Sequence, residues 1–159
     1  MIRRRARHAR SLSEGEKALA RAMFGGAIDL DRVEVRGAKW WPFQPRAYIM
    51  APMGHIHLHP ESTAWREDYA VAEIGLRALF LHELTHVWQH QRGLFLPIRR
   101  HPFCRYAYTL VPGRPLERYG IEQQAEIVQR TYLLRLGFPA GDAEAQAAHE
   151  AVVADAFGA

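Results

Sequence analysis

Two histidines four residues apart, with a glutamate beside the first, stand inside an apolar run: Phe80-Leu81-His82-Glu83-Leu84-Thr85-His86-Val87-Trp88. In a helix, residues i and i+4 lie one turn apart on the same face, so both imidazoles can converge on one ion. Glu83 is rotated by about 100° from His82. It is poorly placed as a ligand and well placed to take a proton from water polarised by a metal. Two histidines and a carboxylate are costly inside an apolar helix unless something uses them. The chemistry expected of this pattern is hydrolysis assisted by one Zn²⁺ ion, with His82 and His86 as ligands and Glu83 as general base.

An open zinc site needs a third protein ligand. Cys104 is the only cysteine, which excludes both an intramolecular disulfide and a cysteine-based zinc cage. The search therefore turns to carboxylates. Tyr119-Gly120-Ile121-Glu122-Gln123-Gln124-Ala125-Glu126 puts Glu122 and Glu126 on one helix face, with Gln129 a turn further. Apolar Ile121, Ala125, Ile127 and Val128 around them suggest a packed helix. One carboxylate of this pair suits the metal, and the other suits the N–H of a ligating histidine. A tetrahedral intermediate also needs a hydrogen-bond donor, for which Tyr119, Tyr108 and His90 are candidates; His90 projects within about 80° of His82 on the same helix. His55, His57 and His59 alternate along a strand. They read as an exposed strand face or as cleft contacts, this strand being the natural place for a substrate backbone; as a second metal site, the lesser reading, they would need a carboxylate partner that the sequence does not place.

The elements that must position these residues can be traced along the chain. Ser13 followed by Glu16 forms a capping-box pattern ahead of a helix that Gly25-Gly26 stops. Short strands follow at 33–35, 47–50 and 55–59, separated by Pro42, Pro45, Pro52, Gly54 and Pro60. A strongly apolar helix is expected from about Tyr69, capped by Asp68, to Gln91, with Gly93 at its end. Residues 96–115 read as irregular, with a short strand near 106–111. A second site helix spans about 119–136, and an Ala-rich C-terminal helix starts near Asp142. The order predicts an α+β fold: a small antiparallel sheet on the His-bearing helix, a second Glu-bearing helix, and an additional C-terminal helix.

His82-Glu83-x-x-His86 with a helical glutamate about 35 residues later resembles the gluzincin branch of zinc peptidases. That resemblance implies Glu122 as the third ligand and Glu126 as the group orienting a ligating histidine. Glu126 stands where thermolysin-like proteins usually carry aspartate. The segments Leu12-Ser13-Glu14-Gly15-Glu16, Phe24-Gly25-Gly26-Ala27-Ile28-Asp29, Phe80–Gln89 and Tyr119–Glu126 together look like those of small bacterial Vgr-related and Rhs-associated zincin-like proteins. The resemblance implies a zincin-like metallopeptidase acting on a peptide or protein substrate. A zinc-containing binding module of a secretion or toxin system, without proteolysis, is the alternative.

The 159 residues suffice for a single domain over 13–159, preceded by a basic arm at 1–12. Five of the basic residues fall in the first ten positions, so most of the net charge of +4 belongs to that arm. It reads as a solvated flexible segment, and nucleic-acid binding ranks last among the functions. The arm lacks the apolar stretch of a signal peptide, and no run reaches the length of a membrane helix. Synthesis in the cytoplasm without Sec export is expected, compatible with a secretion route that needs no N-terminal signal.

Overall fold

The computed structural model describes residues 9–99 and 105–158. The first eight arm residues and Cys104 lie outside these. In chain order the elements are β1 (Arg10–Ser11), α1 (Glu14–Phe24), β2 (Glu34–Arg36), β3 (Ile49–Met50), β4 (Ile56–Leu58), α2 (Ile74–Gln91), the one-turn α3 (Leu96–Arg99), α4 (Ile121–Arg135) and α5 (Ala143–Phe157). The fold is α+β, as its sequence predicts.

The sheet order is β1-β2-β4-β3. β1 runs antiparallel to β2 and β3 antiparallel to β4, but β2 and β4 are parallel, with Val35 opposite Ile56. The sheet is therefore mixed, correcting the all-antiparallel expectation. Residues 37–48 carry the chain past the neighbouring position, so β3 takes the edge and β4 returns between β3 and β2. Burial follows: Val33, Val35, Ile56 and Leu58 all enter the core.

α2 packs most extensively on α4. It is apolar on every side because α4, the sheet and α1 enclose it, and every residue from Phe80 to Gln89 is buried. Its start differs from expectation. Asp68 caps a separate 3₁₀ turn at Tyr69–Val71, accepting from Ala70 N, and α2 begins only at Ile74. Phe157 of α5 sits between Phe24 of α1 and Trp88 of α2, with ring centroids 5.0 Å away on each side. These edge-on aromatic contacts fix three helices together. The strand expected near 106–111 does not form, and among the described residues no strand pairs with this segment. Its backbone is instead tied to side chains, Val111 N–H donating to the Tyr119 hydroxyl and the Ala107 carbonyl accepting from Gln123.

Arg10, assigned to the arm, is part of the fold. Its guanidinium donates two 2.8 Å hydrogen bonds to the Glu16 carboxylate, which is fully buried. Glu16 also completes the capping box with Ser13 and accepts from Tyr69 N. One carboxylate thus joins β1, α1 and the approach to α2. Burial lowers the guanidinium's pKa, but Glu16 more than compensates, and the net shift is upward.

Candidate metal centre

His82 and His86 project from the middle of α2 towards α4, where Glu122 occupies the first turn. Among the described residues, His82, His86 and Glu122 form a buried group whose donor atoms lie within 4.8 Å of one another. Glu122 Oε2 is 3.4 Å from His82 Nε2 and 3.2 Å from His86 Nε2. A tetrahedral ion with bonds of about 2.0–2.1 Å sets its ligand atoms roughly 3.3–3.4 Å apart. The donor set and its spacing therefore fit one divalent transition-metal ion.

The surrounding hydrogen bonds fix which imidazole nitrogens face this point. Gln89, one turn beyond His86, presents Oε1 to His86 Nδ1 at 2.8 Å. The amide cannot be turned over, because its Nε2 donates to the Ile121 carbonyl at 3.0 Å and to Gln124 Oε1 at 2.9 Å. Gln124 is held in turn by donating to the Tyr119 carbonyl at 2.8 Å. Backbone carbonyls only accept, so the direction of the chain is set from its far end. His86 Nδ1 must donate, and in the neutral imidazole Nε2 keeps its lone pair, aimed at Glu122. His82 has the same polarity. Its Nδ1 lies 2.9 Å from Gln129 Oε1 and 3.4 Å from a carboxylate oxygen of Glu126. Two lone pairs facing a carboxylate need a cation between them, either a metal ion or a proton.

Electrostatics point the same way. Burial lowers the pKa of His82, but hydrogen bonds to Glu122 and Glu126, with the nearby charge of Glu83, push it up to about 10. In the absence of metal, a proton on His82 would offset part of the negative charge. Glu83 is itself buried on α2, and its charge reaches His82.

A Glu126 carboxylate oxygen stands 3.4 Å from His82 Nδ1, which the closer Gln129 also engages. Gln129 lies on the helix face expected from the sequence, but its role and those of Gln89 and Gln124 are not among the sequence expectations. The spacing of Gln89, three residues after His86, was the available signal.

The other candidates are engaged elsewhere. Tyr119 uses its hydroxyl to accept from Val111 N and reaches the centre only through its carbonyl, by way of Gln124. The Tyr108 hydroxyl donates to His149 Nε2 at 2.8 Å, and burial pushes its pKa up to about 12. The His90 ring packs on Gly54, where an added Cβ would lie 2.7 Å from it.

The strand histidines also differ from expectation. His57 is buried and donates to the Ala38 carbonyl, while His55 and His59 accept from Glu34 N and Glu61 N. Both edges of β4 are paired, to β2 and β3, so β4 cannot take a substrate strand.

No protein-family profile matches the chain. It is 40% identical over 144 residues to the type VI secretion system spike protein VgrG2b of Pseudomonas aeruginosa. That alignment covers 86% of this chain but only 14% of the spike protein. Among solved structures, the effector domain of Pseudomonas aeruginosa VgrG2b superposes with a TM-score of 0.72 at 34% identity, covering 96% of this chain and 85% of that one. At this identity and with most of both chains covered, the chain belongs to the VgrG2b effector-domain family.

Proposed function

We propose that this domain is a zinc-dependent hydrolase of peptide bonds, serving as an effector associated with a type VI secretion system. The observation that carries the reading is the division between three convergent ligands and one carboxylate outside the ligand set. His82, His86 and Glu122 supply three donors, the number used by open catalytic zinc sites, whereas structural sites close with four. A purely structural site has no use for Glu83. Zinc bound here would supply Lewis-acid charge to polarise a peptide carbonyl and to acidify water. Glu83 then removes the proton from the attacking water and delivers it to the departing amine. Gln89 and Gln129 hold the two imidazoles with Nε2 forward, while Glu126 adds negative charge behind His82.

A second reading follows from the comparisons, whose descriptions name a secretion spike and an effector domain without naming a reaction. On that reading the metal stabilises a module carried by the secretion apparatus. Digestion of a broad peptide library by the parent and by Glu83→Gln, with metal content measured for both, separates the two. The hydrolase reading expects equal metal and loss of cleavage in the variant. Cleavage by neither protein, at full metal occupancy, supports the second reading.

A further inference from the structure

Between β2 and β3 the chain leaves the sheet and exposes a set of aromatic rings to solvent. Phe43 is 78% exposed, Tyr48 59%, Trp40 41% and Trp41 40%. Trp41 and Phe43 meet edge-on at 5.8 Å, packing on each other. The loop is nevertheless well held. Gln44 is its one buried side chain between residues 38 and 48. It accepts from Trp40 N and donates to the carbonyls of Tyr48 and His57. Further bonds run from Gln44 N to Trp41 O, Tyr48 N to Pro45 O, Lys39 Nζ to Pro42 O, and His57 Nδ1 to Ala38 O. A loop that satisfies much of its own backbone can enter a poorly hydrated environment at low cost.

Charge distinguishes among the surfaces that could cover these rings. From Gly37 to Pro60 there is no aspartate or glutamate, while Lys39 and Arg46 lie in the loop itself. The flanking carboxylates Glu34 and Glu61 are paired with Arg36 and Arg46. A stable protein interface takes about 20–30 residues a side, more than this loop supplies. A lipid headgroup region needs only a few Trp, Tyr and Phe rings with cations beside them and carboxylates absent.

We propose that the 37–48 loop docks the domain on anionic phospholipid bilayers, with Trp40, Trp41 and Phe43 entering the headgroup region and Lys39 at the lipid phosphates. The inference is independent of the metal centre. The test is binding of the full chain to phosphatidylcholine vesicles with and without phosphatidylglycerol, followed by tryptophan emission and by quenching from brominated lipid. Trp88 is buried, the arm at 1–8 contains no tryptophan, and the fourth tryptophan, the half-buried Trp65, is replaced in a Trp65→Phe background, so quenching there reports on the loop and not on the arm. Anionic vesicles are expected to shift the emission to the blue with strong quenching. Trp41→Ala/Phe43→Ala should weaken binding by about tenfold or more while leaving circular dichroism and metal content unchanged. Binding without quenching, or equal binding by the double variant, would assign the attraction to the arm and overturn the proposal. So would an absence of vesicle binding, or concentration-dependent self-association abolished by the double variant.

Discussion

Replacing Gln89 by leucine keeps the volume and apolarity of its site while cutting the hydrogen-bonded chain from the Tyr119 carbonyl to His86. The perturbation acts on three contacts: the 2.8 Å bond from His86 Nδ1, and the 3.0 and 2.9 Å bonds to Ile121 O and Gln124 Oε1. Without the acceptor, no other hydrogen bond among the described residues holds the proton on Nδ1, and the ring keeps only its contact with Glu122. Loss of such an outer partner typically costs 10–100-fold in metal affinity, or about 1.4–2.7 kcal/mol. Stranding the buried Gln124 oxygen should also lower stability by about 1–3 kcal/mol. Gln89→Glu separates the two effects: it keeps an acceptor for His86 but has no donor for Ile121 O or Gln124. Competition with a chromophoric chelator should show a 10–100-fold loss for the leucine variant and little loss for the glutamate variant, with both less stable to heat. Parental affinity in Gln89→Leu, or identical behaviour of the two variants, would show that Gln89 does not orient His86.

Two further outcomes follow from the same geometry. Arg10→Ala leaves the buried Glu16 without its cation, and breaking a buried pair costs about 3–5 kcal/mol; thermal or urea unfolding should show a loss of this size despite the residue's position next to the arm. The raised pKa of His82 sets the pH response. For protein stripped by chelator, its stabilising contribution is complete below the unfolded value of 6.5 and lost as pH rises through about 10. Metal must displace that proton, so metal affinity should rise over the same interval. Melting temperatures with and without zinc, measured across that range, should therefore diverge as pH increases.

The histidine pair is legible because its spacing is a property of a single helix: His82, Glu83 and His86 need only α2 to be arranged correctly. Glu122 was reachable as a candidate by chemistry and resemblance, yet its approach to both Nε2 atoms depends on how α4 lies on α2. Gln89 and Gln124 were harder still, since an uncharged amide in a helix gives no local sign of a partner 32 or 35 residues away. Arg10 was misassigned for a similar reason. A cluster of arginines looks solvated until a buried carboxylate from another element claims one of them. The parallel pairing of β2 with β4 was hidden because strands of two or three residues carry too little pattern to fix register. Helix starts at Ser13 and Asp142 lie where their side chains place them, whereas Asp68 caps the 3₁₀ turn ahead of α2 and not α2 itself.

The geometry of α2 and α4 is that of an open metal centre. Crystals of zinc-loaded protein, with anomalous data collected on both sides of the zinc absorption edge, test it most directly. One strong peak is expected within about 2.0–2.2 Å of His82 Nε2, His86 Nε2 and a Glu122 oxygen, with no fourth protein ligand. A peak elsewhere, or a fourth side chain closing the coordination sphere, would contradict it.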